Sequence, residues 1–326
     1  MADGFARVAA EDAYRATMRQ RAAKWPVRGS ARIEPTAKPA IVPSFTLARG
    51  ASVFTIGSCF ARNIEIALRD HGLRIPTLDL QIPQNELMQG SMLRTGILNK
   101  YTPFSMLNEI DQLDAEDDGG RFLIELGDDA WWDGQLHSHE PVTRERALKR
   151  RQRIRRLYAE AIAESALVIV TLGLVEAWWD EAEQLYLNDA VPRAVIDRHP
   201  GRFFFEVLSP EKVIDAVMRL VAALHARNPA QRMLLTVSPV PLHRSFTGGD
   251  VLTANNYSKS ALRAAAEVAV RSFDHVDYFP SFETVTMSDR AIAWEDDLAH
   301  VTPAMIELNV SRMIADYMPA ADETAA

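Results

Sequence analysis

Cysteine is almost absent from this chain of 326 residues: Cys59 stands alone. A single thiol excludes an intramolecular disulfide framework and a cysteine-built zinc cage. Long apolar runs are missing as well, so no segment reads as a bilayer-spanning helix, and Met1 to Arg7 lacks the basic-then-apolar pattern of an export signal. The expectation is a cytoplasmic protein with no membrane insertion. Positive charge is in deficit: a formal net charge of -8 argues against general binding to nucleic acid or anionic membranes. Internal repeats and low-complexity tracts are absent too. What remains is an ordinary globular composition, 48% apolar and 25% charged, long enough to bury a sizeable core.

The most informative stretch runs from Ser52 to Arg62. Val53, Phe54, Thr55 and Ile56 form a β-branched, apolar run expected of a strand buried on both faces, and Gly57 breaks it. From Phe60 the period changes to that of a helix through Ile64, Ala67 and Leu68, stopped at Gly72. Ser58 sits at the junction, where helix N-H groups and the positive end of the helix dipole face outward. A serine there can attack a carbonyl while its own N-H holds the oxyanion; it can also simply cap the helix.

Along the chain, residues 1–45 read as a helix near 12–24 followed by an arm punctuated by Pro26, Pro35, Pro39 and Pro43. Residues 46–318 read as the α/β domain, and residues 319–326 as a disordered tail. Within the domain, residues 73–80 are a candidate strand interrupted by Pro76, and residues 122–132 a hairpin across Gly127-Asp128-Asp129. Thr143 caps a long helix whose first half is rich in arginine, read mainly as a solvated basic face pairing with the acidic remainder and otherwise as a seat for an anionic substrate or partner. Buried strands are expected at 166–173, 233–237 and 276–279, with helices at 209–228, 257–273 and from Thr302-Pro303 to about Tyr317. The alternation predicts a three-layer α/β/α sandwich on a mostly parallel sheet, with ligands at the carboxyl ends of its strands.

A second informative stretch is Trp294 to Pro303. Asp297 stands three residues before His300, a spacing at which the carboxylate can accept the Nδ1 hydrogen and leave Nε2 free to take a serine proton. Ser58 after the first strand, with Asp-x-x-His before the last helix, is the arrangement of SGNH-type hydrolases. The chain as a whole resembles the GSCFA family, a branch of that superfamily, in Gly57-Ser58-Cys59-Phe60-Ala61, Gly96-Ile97-Leu98-Asn99, His137-Ser138, Thr171-Leu172-Gly173, Thr236-Val237-Ser238-Pro239 with His243, Asn256-Tyr257-Ser258-Lys259, and Asp297 to His300.

That resemblance implies a flavodoxin-like fold with Ser58 as nucleophile, His300 as base and Asp297 orienting it. It also implies an oxyanion hole completed by a glycine N-H, for which Gly96 is the candidate, and by an asparagine after Gly173. Here Gly173 is followed by Leu174-Val175-Glu176, so a valine stands where the asparagine belongs; Asn99 or Asn188 is the substitute to look for. Cys59, at the same helix start, could be a thiolate nucleophile or a small packing residue. His137 and His139 lie two apart without a recognisable third metal ligand, and His243 is a candidate to face the cleft. The function implied is serine-dependent esterase or acyltransferase chemistry on an acylated carbohydrate, in bacterial surface-polysaccharide biosynthesis, with no metal or other cofactor. The competing reading is a non-catalytic glycan- or ligand-binding protein on the same fold.

Overall fold

The computed structural model describes residues 7–88 and 94–319. The chain opens with helix α1 (Ala10–Arg19), strand β1 (Val53–Gly57), helices α2 (Cys59–Asp70) and α3 (Pro103–Asp111), then hairpin strands β2 (Leu123–Gly127) and β3 (Ala130–Asp133). Next come α4 (Arg144–Glu164), β4 (Leu167–Leu172), β5 (Glu176–Asp180), β6 (Leu185–Leu187), α5 (Arg193–Arg198), β7 (Phe203–Val207) and α6 (Pro210–Arg227). The last part holds β8 (Arg232–Val237), α7 (Val251–Ser272), β9 (Val276–Tyr278), α8 (Ser281–Thr286), α9 (Arg290–Ala293) and α10 (Pro303–Tyr317).

The central sheet is parallel throughout, in the order β1-β4-β8-β9, with Gly57 beside Thr171 and Leu172 beside Val237. Its residues alternate between two cores. Phe54, Ile56, Val168, Val170 and Leu235 pack against α4, α6 and α7 through Tyr158, Val217 and Leu262. Val53, Leu167, Ile169 and Leu234 pack against α2 and α10 through Phe60, Ile64, Val310 and Met313. Each such side chain, fully buried, contributes about 1.5–3 kcal/mol, so the near-continuous apolar runs of the sequence fix the sheet and its two helical layers together. The result is the expected α/β/α sandwich.

Several expectations need correction. Residues 73–80 form no strand: Arg74 makes a single parallel bridge to Ser52, and Pro76, with no N-H to give a ladder, opens a 3-10 turn over Pro76–Asp79. Helix α7 starts at Val251, earlier than Tyr257, because the Asp250 carboxylate accepts the N-H groups of Leu252 and Thr253. The antiparallel sheet β6-β5-β7 was not expected at all. The arginine-rich helix is more than a solvated face, since Arg150 and Arg151 are buried; Arg151 forks onto Asp133 and Glu109, and Arg150 reaches Glu86. Of the expected tail, residues 320–326 lie outside the described residues.

In the arm, α1 buries none of its side chains, whereas residues 35–47 are stitched to the last quarter of the chain. The N-H of Ala37 donates to Ser288 Oγ (2.8 Å), that of Ser44 to Asp277 (2.9 Å), and that of Leu47 to the carbonyl of Tyr317 (2.8 Å).

Candidate active site

At the carboxyl end of the sheet, two glycines let three backbone segments meet. A Cβ at Gly57 would stand 2.5 Å from the carbonyl oxygen of Thr171, and one at Gly173 would stand 2.7 Å from that of Tyr101. In the space this leaves, Lys100 N-H donates to the Gly57 carbonyl and Leu174 N-H to the Tyr101 carbonyl, both at 2.7 Å. Asn188 locks the same segment: its Oδ1 accepts Tyr101 N-H at 3.0 Å and its Nδ2 donates to the Asn99 carbonyl at 2.8 Å.

Ser58 occupies the N-cap position of α2, but its hydroxyl caps nothing. Its Oγ is buried without a hydrogen-bond partner. Such a group costs about 1–3 kcal/mol, which a purely structural serine would avoid by turning onto the first-turn N-H groups. Two further buried hydroxyls at this rim, Thr171 Oγ1 and Ser238 Oγ, are also unpartnered. The N-H of Ser58 is not free for an oxyanion as the sequence suggested, because the β1–β4 register carries it onto the Thr171 carbonyl at 3.4 Å.

Above this elbow opens a cavity of about 750 Å³. Cys59, Tyr101, His137, Asn188, Asp189, His243 and His300 contribute to its walls. His300 Nδ1 meets the Asp297 carboxylate at 2.5 Å, and the other Asp297 oxygen accepts the N-H groups of Ala299 and His300, each at 2.9 Å. These bonds, first the His300 N-H and then its ring, hold the Asp297 carboxyl well below the usual carboxylate range. An ionised carboxylate on Nδ1 fixes the imidazole with Nε2 as its working nitrogen. Cys59, the residue after Ser58, and His300 thus line one cavity, whereas Ser58 itself is buried behind that lining, and its hydroxyl makes no hydrogen bond with His300.

The remaining candidates separate. Asn188 is committed to holding the 99–101 segment, whereas Asn99 is buried beside the Tyr101 phenol with its Oδ1 unpartnered. Gly96 lies in the 3-10 turn Arg94–Leu98, where its carbonyl accepts Asn99 N-H, and it does not line the cavity. Gly173 turns its carbonyl to the buried ammonium of Lys259 at 2.8 Å. Burial pushes the Cys59 thiol up, against the pull of Lys259, which is opposite to what a thiolate nucleophile requires. His139 is buried and accepts Asp133 N-H at 3.0 Å; burial lowers its pKa to about 3, so it is a neutral acceptor of the framework. Among the described residues, no three of His, Cys, Asp and Glu gather as the ligands of a metal ion would, and no helix is long and apolar enough to cross a membrane.

Sequence reasoning missed most of the far wall. Trp178 from β5 stacks edge-on with Phe246 and tilts against Phe205, and Leu187, Val191, Pro192 and Ile196 continue the apolar lining. The available signal was three short aromatic runs, Trp178-Trp179, Leu185-Tyr186-Leu187 and Phe203-Phe204-Phe205, each bounded by polar turns.

The model of the GSCFA family matches residues 52–313. Among curated proteins, none matches the chain. A solved structure from Streptococcus pneumonia, provisionally described as a platelet activating factor, is similar over 82% of this chain and 83% of its own, at 10% identity and a TM-score of 0.38.

Proposed function

The chain belongs to the GSCFA family, and from that premise we propose that it is a serine-dependent O-acyl esterase or acyltransferase acting on an acylated carbohydrate in bacterial surface-polysaccharide biosynthesis. One observation carries the reading. His300, paired with Asp297, lines the same cavity as Cys59, the chain neighbour of Ser58, whose hydroxyl is buried and unpartnered. In this reading Ser58 Oγ attacks the ester carbonyl, His300 Nε2 takes its proton, and Asp297 keeps the ring aligned and stabilises the imidazolium. The oxyanion falls to the first-turn N-H groups of α2 and to Asn99, in place of the asparagine that Val175 replaces. The apolar far wall suits an acyl chain or an apolar aglycone.

A fluorophosphonate probe on the purified protein tests it. The expected result is one adduct per chain, mapped to Ser58, lost in Ser58→Ala and kept in Cys59→Ala. An adduct that survives in Ser58→Ala but disappears in Cys59→Ala moves the nucleophile to the thiol. Absence of both labelling and aryl-ester hydrolysis favours the second reading, a glycan- or ligand-binding protein, which draws support from Val175 and from the lack of a hydrogen bond between Ser58 and His300.

A further inference from the structure

The cavity contains a second imidazole–carboxylate pair that the serine reading leaves unused. His137 Nδ1 meets Asp189 Oδ2 at 2.6 Å, and both side chains line the same space as His300 and Cys59. The residue is held at several points. Its backbone N-H donates to the Ile97 carbonyl at 3.2 Å, Tyr101 packs against it edge to face at 5.1 Å between centroids, and the neighbouring Asn188 pins Tyr101. His137 Nε2 meets Ser138 Oγ at 2.7 Å, and Ser138 has a backbone φ of 45°, uncommon for a residue with a side chain. Strain of this kind persists where the surroundings over-determine it, often at functional sites. The hydroxyl marks where an oxygen sits relative to Nε2, and rotation about χ1 vacates that place. Three segments distant in sequence, around Ile97–Tyr101, His137–Ser138 and Asn188–Asp189, thus build one wall whose half-buried product is an oriented imidazole.

We propose that His137, oriented by Asp189, is a second catalytic acid–base group, serving the oxygen that leaves the acyl carbon and then the hydroxyl or water that receives the acyl group. The proposal rests on the serine reading above. Starting with His300 neutral and His137 protonated, Ser58 gives its proton to His300 as Oγ bonds to the acyl carbon. The bond to the leaving oxygen breaks, and that oxygen takes the proton of His137 Nε2. In the second half, His137 takes the proton of the incoming hydroxyl as its oxygen bonds to the acyl carbon, the bond to Ser58 Oγ breaks, and His300 returns its proton to Oγ. Both imidazoles end as they began, so protons balance over the cycle. The arrangement suits esters of poorly leaving alkyl alcohols, such as sugar hydroxyls, over aryl esters that need no proton to depart.

The test compares wild type, His137→Gln and Asp189→Asn on a p-nitrophenyl ester and on an alkyl ester carrying the same acyl group, with the fluorophosphonate labelling rate as control. In His137→Gln, labelling at Ser58 and the first release of nitrophenolate should stay within about 3-fold of wild type. Turnover of the alkyl ester should fall about 10²–10⁴-fold, the range for loss of a general acid–base group. With the p-nitrophenyl ester, which acylates without that proton, intact-protein mass should show the acyl group accumulating on Ser58. Asp189→Asn should give the same pattern with a smaller loss. Equal losses of labelling, burst and turnover in both variants, or no loss in either, overturn the proposal while leaving the serine reading standing. An unlabelled wild-type protein overturns both.

Discussion

The ammonium of Lys259 donates to the carbonyl oxygen of Gly173 at 2.8 Å, beneath the elbow that carries Ser58 and Cys59, and among the described residues no carboxylate pairs with it. Burial, opposed only by the Cys59 thiol, pulls its pKa down to about 7. Between about 7 and the ordinary lysine value the unfolded chain keeps a proton that the native amine has lost. Lys259 therefore destabilises the native state most at low pH, and its penalty shrinks as pH rises through that window, by up to about 1.4 kcal/mol per unit. Lys259→Met should remove this dependence. Urea midpoints at pH 6.5 and 9.5 should converge in the variant relative to wild type; parallel shifts at both pH values would mean that the amine carries no such penalty.

Asp297→Asn should leave the thermal midpoint almost unchanged, since both members of the pair are about half exposed. Ester turnover should fall about 10²–10⁴-fold. Because Asp297 is held well below the usual carboxylate range, the acid limb of the rate profile should not originate there, and steady-state kinetics from pH 4 to 9 would check this.

Ala at Gly173 would place its Cβ 2.7 Å from the Tyr101 carbonyl, a backbone atom that cannot rotate away. Overpacking of this kind costs about 1–3 kcal/mol. The displaced segment is the one that joins Asn99 and Asn188, so labelling of Ser58 should slow even in the fraction that remains folded. Denaturant melts and probe kinetics on Gly173→Ala separate the two effects.

Arg151→Met should destabilise strongly. Arg151 bonds both oxygens of Asp133 (2.5 and 2.6 Å) and both of Glu109 (2.8 and 2.9 Å), and all three residues are buried. Its removal leaves two buried carboxylates short of a partner, with Lys100 still on Glu109. Breaking one side of a buried pair costs about 3–5 kcal/mol, and calorimetry should show a loss in that range.

What was legible in the sequence was whatever is encoded locally. Strands β1, β4 and β8 are written as uninterrupted apolar runs because helices cover both their faces, and Thr143 and Ser209-Pro210 mark the helix starts through bonds to their own first turns. The Asp297–His300 pair was legible for the same reason, since three residues separate its partners. The β6-β5-β7 sheet was not, because Glu176, Asp180 and Glu206 interrupt the alternation where they serve contacts with Ser245, Arg202 and Tyr186. Nor was the burial of Arg150 and Arg151, whose carboxylates come from elsewhere in the chain, or the His137–Asp189 bond, which spans 52 positions.

The strap of residues 35–47 ends on the helices that flank the loop of Asp297 and His300. Pro35 accepts the N-H of Asp289, which caps α9; the carbonyl of Ala293, at the end of α9, accepts Thr302 N-H, and Thr302 caps α10. The strap is thus bonded to the start of α9, and the end of α9 to the cap of α10, the two helices on either side of the Asp297–His300 loop. A shortened protein beginning after residue 45 should keep its sheet and lose its aim: folded by spectroscopy, yet slow at every step in which His300 must meet a proton.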